Sequence, residues 1–476
     1  MGAGRRNGAL LALLRGLKRV PTRLDAVEGR LAEAAAEVQA ARAEIAALRT
    51  HLEGVATAHE SGLRFAELRD SLHLAARRAS LRRRPTRVLF LVHVLGAWDS
   101  YHALVAAMAA SEDFEPIVAS IPRRFRGSNG LYGEEEVHRG LDERGVAHLR
   151  FAVSDLDEVL PLIKAMEPDV IFRQSQWDAD VPNELATERL TFARTCLVPY
   201  ETMNIVVNVA DDRTHNTAVD SHYHRCAWLV FCTNDLMRET AVRDGARDGA
   251  QFRVVGHPKA GHLRGATPHW PLDAAADGTR PGRIVWSAHH TIGRGWTDFG
   301  AFHLMRDEML AWARRRDDIS FLFMPHPALL PFPDSDDSPI ERPEFDAWMQ
   351  GWTALPNTAV LSEADYAPTL AASDVMITDG LSMLVEYQLL TKPMVFFERA
   401  GHRPFNAVGE RVVRGVHTVH TVDEVRRLVE KFLDGEPDPL RDRQRENVEE
   451  LFGAGDSVER ILATLREEIA QEQGRG

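Results

Sequence analysis

Cysteine is scarce in this chain. Cys196, Cys226 and Cys232 are the three thiols in 476 residues, with no Cys-x-x-Cys pair and no even set for a disulfide framework, which fits a reducing cytoplasm. Positive charge is in deficit: 57 Lys and Arg face 70 Asp and Glu, a formal net charge of -13. That balance argues against nucleic acid as a general partner, because phosphate backbones call for a basic surface. Long apolar runs are missing too. No segment carries the roughly 18 uninterrupted apolar residues of a bilayer-spanning helix. The early GALLALL run is followed by Arg15 and Lys18 and lacks a small-residue cleavage site, so it does not read as a signal peptide. It is either the apolar side of a basic amphipathic helix lying on a membrane surface or a frayed tail.

What is present is the composition of a globular protein, 44% hydrophobic and 27% charged, in a chain too long for one core. Two or three domains are expected. Arginine and lysine crowd two places, Arg5 to Arg23 and Arg77 to Arg87. From Leu24 a seven-residue repeat runs through Leu31, Val38, Ala41, Ile45, Leu48, Leu52 and Val55, with Val27 and Ala34 completing it. Such a seam needs a partner helix, so it reads as a coiled coil joining copies of the chain or as a long helix docked on its own globular body.

Residues 86–263 alternate strand and helix. Val88 to Val92 is a continuous apolar run, the mark of a central parallel strand covered on both faces. Further strands are expected at Pro116–Ser120, Ala147–Ala152, Val170–Arg173, Cys196–Val198 and Trp228–Cys232, with helices such as Leu156–Met166 and Leu236–Asp244 between them. This is the pattern of a doubly wound sheet, whose ligands sit beyond the strand C-termini. The loops carrying Trp98, Asp99, His102, Gln174, Trp177, Tyr200 and Glu201 are therefore the relevant ones. Residues 264–282 are rich in Pro, Gly, Asp and Ala and read as a linker.

Residues 283–435 form a second such domain, and 436–476 are helical pieces. Arg283–Ser287 runs into His289-His290, Ile319–Met324 into Pro325-His326-Pro327, and Val375–Ile377 into Thr378-Asp379-Gly380. After that last turn come a helix carrying Ser382 and Glu386, then Lys392-Pro393 and the strand Met394–Phe397. Gly380 lets a backbone come close, while Thr378 and Ser382 add hydroxyls, so the turn suits a phosphate at a helix start. It equally suits an ordinary strand-to-helix turn with a Ser/Thr cap. A lone histidine is usually structural, but His289, His290 and His326 are expected at the same face as this turn, in the cleft between two doubly wound domains. Asp334, Asp336 and Asp337 read as a solvated loop, and His215, His222 and His224 as a weak zinc candidate without helix-face spacing.

These residues resemble the CDP-glycerol glycerophosphotransferases of wall teichoic acid and capsule synthesis. That family carries a His-Pro pair after a strand, similar to His326-Pro327 here. Its turn, acidic residue and Lys-Pro are similar to Thr378–Ser382, Glu386 and Lys392-Pro393, and its Gly-x-Pro-basic segment to Gly256–Lys259. The likeness spans roughly residues 225–430. It departs from the family in the Gly380-Leu381-Ser382 turn and in lacking a Trp-His-Gly-Thr-Pro-type loop. Pro199-Tyr200-Glu201 and the His215–His224 group stand in that part of the chain.

The resemblance implies a GT-B fold of two Rossmann-type domains facing a cleft, here preceded by a coiled-coil helix. It implies a transferase without metal or other cofactor that moves glycerol phosphate from CDP-glycerol to a polymer or lipid-linked acceptor. In this scheme His326 and His290 offset charge on the leaving group. Thr378, Asp379, Gly380, Ser382 and His289 hold the donor phosphates, and Glu386 takes the ribose. A base would come from the first domain, with His102 and His215 as candidates. UDP-sugar 2-epimerases share the fold and a similar Asp-Gly turn, so a nucleotide-sugar enzyme is the alternative. A non-catalytic scaffold joined by the coiled coil is a third reading. The expected location is cytoplasmic, with peripheral membrane contact through the N-terminus, and no nucleic-acid partner.

Overall fold

The computed structural model describes residues 85–124, 130–207, 216–272, 280–293, 297–361, 365–453 and 455–474, and parts of 29–72. The chain divides into two units, 1–76 and 77–476. In the first, the described residues between 29 and 49 are helical. Leu31, Val38 and Ile45, seven residues apart, are exposed at 65%, 53% and 65%. Leu24, Val27, Leu52 and Val55 of the repeat, and the arginines of 5–23 and 77–84, lie outside the described residues.

The second unit is built on two parallel sheets. The first contains β1 (Thr86–Val92), β2 (Phe114–Ser120), β3 (Leu149–Arg150), β4 (Val170–Arg173), β5 (Arg194–Leu197), β6 (Leu229–Cys232) and β7 (Phe252–Val254). Its strand order is β3-β2-β1-β4-β5-β6-β7. The second contains β8 (Gly282–Ala288), β9 (Ile319–Pro325), β10 (Thr358–Val360), β11 (Val375–Thr378), β12 (Met394–Phe397) and β13 (His417–Val419). Its order is β10-β9-β8-β11-β12-β13. Both are doubly wound, as expected of a GT-B-like fold. In each, the order reverses beside the first strand, between β1 and β4 and between β8 and β11. Those two reversals are where a ligand crevice opens.

The central strands are apolar on both faces because helices cover both faces. All seven residues of β9 are buried. Trp286 on β8 packs against Phe302, Phe323, Trp348 and Trp352, with ring centroids 4.8–5.8 Å apart. Three short strands were not anticipated: β7, β10 and β13. Each lies at a sheet edge, pairs on one side only and mixes polar with apolar residues, so it carries no continuous apolar run.

The last helix, Ser457–Gly474, returns to the first sheet. Val458, Ile461, Leu462 and Leu465 lie on one helical face and join the core around Phe90 and Phe172. Arg253 and Glu468 anchor it at 2.6 Å and Arg194 and Glu472 at 2.5 Å. The two domains also share one apolar cluster, in which Leu197, Met203 and Phe252 meet Val285, Leu322 and Met376.

Candidate functional site

Both sides of the second sheet's order reversal end in the candidate side chains read from the sequence. β8 delivers His289 and His290, its neighbour β9 delivers His326, and β11 delivers Thr378, Asp379 and Gly380. The backbone NH of His326 donates to the Ala288 carbonyl at 2.8 Å, which ties the two histidine loops together. The three rings meet: His290 lies 4.3 Å from His326 and 4.5 Å from His289, centroid to centroid, and His289 lies 5.6 Å from His326.

The tautomers follow from the hydrogen bonds. Nδ1 of His289 accepts from the Thr291 NH at 3.3 Å, and Nδ1 of His326 accepts from the Ala328 NH at 3.1 Å. Each ring, when neutral, therefore carries its proton on Nε2 and offers a donor there. Burial depresses all three, His290 to about 4, and the neighbouring rings push His289 and His326 further down. His289 and His290 are half-buried, and His326 is the exposed member of the cluster, its ring packed 4.3 Å from that of His290. At neutral pH the cluster is a set of uncharged imidazoles, which an arriving anion would draw towards protonation.

Asp379 builds the loop between them. One oxygen accepts from the His289 NH at 2.6 Å and the other from the Ala301 NH, so the carboxylate clamps both ends of the 289–301 loop. Its side chain is fully buried, and burial raises it to about 7 against the lowering effect of those NH groups. The sequence places Asp379 among donor-binding residues; its two oxygens are used by the backbone. Arg399, which the sequence did not single out, finishes the loop by donating to the carbonyls of Thr291, Ile292 and Gly300 at 3.0–3.1 Å.

At the turn, the Thr378 hydroxyl accepts from the Gly380 NH at 2.9 Å and locks the backbone. A Cβ on Gly380 would lie 3.4 Å from the Thr378 hydroxyl and 3.9 Å from the His289 ring, so this side of the glycine faces those two side chains. Ser382 is exposed in the first turn of the Leu381–Glu386 helix. Lys392 does not face the site. Its ammonium caps the Ala367–Ala372 helix through the carbonyls of Ala371 and Ser373, at 2.6 and 2.7 Å.

Glu386 stands apart from the expectation that it meets a ribose. It is fully buried: one oxygen lies 3.3 Å from the Lys259 ammonium and the other accepts from the Tyr366 hydroxyl at 2.6 Å. Lys259 also lies 3.6 Å from Asp99, so one lysine bridges a carboxylate from each domain. Its position is fixed locally. Gly256 has φ +80, and a Cβ there would come within 3.1 Å of the Phe452 carbonyl. His257 caps the helix that follows, with Nδ1 accepting from the Lys259 NH and Nε2–H donating to the Pro199 carbonyl at 2.8 Å. Pro258 occupies the first turn, where a missing NH costs nothing.

The first sheet's crevice is less finished. Gln174, after β4, accepts from the backbone NH groups of His93 and Val94 at 2.9 and 3.0 Å. Yet Nδ1 of His93, Nε1 of Trp98, Oδ1 of Asp99, Oγ of Ser100 and the Tyr101 hydroxyl are all buried without a hydrogen-bond partner among the described residues. His102 is exposed, and His215 lies outside the described residues. The zinc candidate does not assemble among the described residues: His224 is buried against Ser221, while His222 is exposed. His222 instead approaches Asp178 and Glu188, with ligand atoms within 4.8 Å, but Asp178 already accepts from Arg173 at 2.7 Å. No described helix is long and apolar enough to cross a membrane.

No family model matches this chain, and no curated protein matches its sequence. Solved structures match its fold. A Listeria monocytogenes protein described as a UDP-N-acetylglucosamine 2-epimerase superposes with a TM-score of 0.56 at 12% identity, covering 81% of this chain and 97% of its own. The UDP-GlcNAc 2-epimerase of Neisseria meningitidis, bound to UDP-GlcNAc, gives 0.51 at 12% identity over 80% of this chain and all of its own. The wall teichoic acid polymerase TagF, soaked with CDPG, gives 0.50 at 12% identity over 87% of this chain and 99% of its own. Identity this low makes the likeness one of architecture: the chain has the two-domain GT-B-like fold of these proteins.

Proposed function

We propose that the chain is a metal-independent GT-B transferase that moves glycerol phosphate, or a related polyol phosphate, from a CDP-activated donor to a hydroxyl of a glycan or polyol-phosphate acceptor. The observation that carries this reading is the meeting of His289, His290 and His326 beside Gly380 at the β8/β11 reversal. Donor phosphates would approach the Gly380 backbone and take hydrogen bonds from the Nε2–H groups of the histidines. The acceptor oxygen attacks the phosphorus bearing the glycerol, and the bond to the bridging oxygen breaks. The nucleoside monophosphate leaves with charge that His326 and His290 offset as they move towards protonation. The fold likeness to TagF and the His326-Pro327 and Thr378–Ser382 motifs support the CDP-glycerol form.

The second reading is an enzyme of UDP-sugars, favoured by the Asp379-Gly380 turn and by the fold likeness to proteins described as epimerases. A thermal-shift panel of CDP-glycerol, CMP, UDP and UDP-GlcNAc separates the two, since a ligand at about 100 times its Kd stabilises the folded state by about 2.7 kcal/mol. A response to cytidine nucleotides is expected, and a response to uridine nucleotides alone moves the assignment to the second reading. His326→Ala should leave the fold intact and lower turnover by about 10²–10³-fold, the usual cost of one charge-stabilising donor. Near wild-type turnover would remove His326 from the mechanism.

A further inference from the structure

We infer that Asp99 is the base that takes the proton from the acceptor hydroxyl. The inference rests on the transferase reading above and adds the residue that reading lacks.

Asp99 lies in the turn Leu95–Ser100 that follows β1, beside the order reversal of the first sheet. Lys259 joins it to the second domain, lying 3.6 Å from Asp99 and 3.3 Å from Glu386. The two carboxylates on this lysine differ. Glu386 has both oxygens occupied, one by Lys259 and one by Tyr366. Asp99 has Oδ2 towards Lys259, while Oδ1 is buried with no hydrogen-bond partner.

A buried carboxylate oxygen without a donor is costly, and a catalytic role is one of the reasons a fold keeps one. An ionised carboxylate is an acceptor only, so the missing partner must be a donor, and an acceptor hydroxyl is one. The neighbouring Trp98 Nε1 and Ser100 Oγ are likewise buried and unpartnered, and they extend the same demand for a polar, hydroxyl-bearing ligand. Of the histidines offered by the sequence, His102 is exposed and His215 lies outside the described residues.

In the step itself, the acceptor O–H bond breaks and its proton passes to Asp99 Oδ1. The oxygen's electron pair forms the new bond to phosphorus, and the nucleoside monophosphate departs with the bridging oxygen. The charged and titratable groups that act on Asp99 are Lys259 and His262 from the 258–265 helix, with Asp365, Tyr366 and Glu386 from the second domain. Burial raises the Asp99 carboxyl above its ordinary value, and Lys259 and His262 draw it back.

The test uses the full chain with CDP-glycerol as donor and glycerol as acceptor, reading CMP and glycerophosphoglycerol. Asp99→Asn should reduce transfer by about 10²–10⁴-fold, the range for losing a general base. It should also abolish the acidic limb of the kcat/KM profile and leave thermal stabilisation by CDP-glycerol unchanged. Asp99→Glu should keep an acidic limb, displaced along the pH axis, and it serves if the asparagine variant does not fold. Transfer by Asp99→Asn at near wild-type rate, or an acidic limb unmoved in either variant, overturns the role of Asp99 alone. A wild-type chain that is neither stabilised by CDP-glycerol nor turns it over overturns the transferase reading, and Asp99 falls with it.

Discussion

The two sheets share a strand order and differ in how complete their crevices are. At the second, Thr378 and Asp379 spend their polar atoms on the local backbone, and Arg399 adds three carbonyl contacts to the same loop. At the first, five side chains between His93 and Tyr101 keep a polar atom buried and without a partner among the described residues. The second crevice is pre-assembled, as a site for charge stabilisation has to be, because reorganisation at the moment of reaction would cancel the gain. Under the transferase reading proposed above, the second crevice would hold the charged donor and the first would meet the acceptor.

Acid should strain this division most. Burial holds His93, His224 and His257 in the first domain at about 3. A neutral histidine with a depressed pKa contributes stability that is fully present above its unfolded value near 6.5 and is lost as pH falls towards the folded value. Asp379, raised to about 7, works the other way: its burial penalty is present above 7 and eases as pH falls towards its ordinary value. Each group is worth up to about 1.4 kcal/mol per pH unit. His289, His290 and His326, also held below their ordinary value, add to the loss, so these histidines together outweigh Asp379 and stability should fall as pH drops from about 6.5 to about 5. Urea midpoints across that range measure it, and a flat profile would show that the first domain's histidines are not held neutral.

The join between the crevices is the next place to press. Lys259→Met leaves Glu386 and Asp99 buried without their shared cation, and removing one partner of a buried pair costs about 3–5 kcal/mol. Denaturation should show that loss. Pairing the change with Glu386→Gln should recover part of it, because the uncompensated charge goes with the carboxylate. A loss under about 1 kcal/mol in the single variant would mean that water replaces the lysine and that the domains meet there only loosely.

The sequence carried one kind of information well. β8, β9, β11 and β12 were legible because buried parallel strands are continuous apolar runs, and the polar residues ending them, His289, His326 and Thr378, marked the strand ends. The edge strands β7, β10 and β13 lacked that signal. The partnerships were not legible either. Lys259 and Glu386 are 127 positions apart, and no local pattern says that the basic residue of one motif neutralises the acidic residue of another. Asp379 looked like a ligand-facing residue because a turn aspartate often is; the NH groups that claim it belong to a loop about 80–90 residues upstream. The final helix showed its apolar stripe in Val458, Ile461, Leu462 and Leu465, but a stripe does not name the surface that receives it.

Gly380→Ala makes the smallest change to the fold and isolates the pre-assembled half. Gly380 has φ -100, which any residue adopts, and an added Cβ would meet the Thr378 hydroxyl at 3.4 Å and the His289 ring at 3.9 Å, ordinary contact distances. Stability should therefore change by less than about 1 kcal/mol, and the reduced freedom of the unfolded chain favours a slight gain. The same methyl group would stand where a phosphate oxygen has to approach the backbone. An unchanged melting temperature combined with lost stabilisation by CDP-glycerol is the expected result. If that stabilisation survives, the donor phosphates sit against the histidines without using the turn, and the turn is a structural hinge between β11 and its helix.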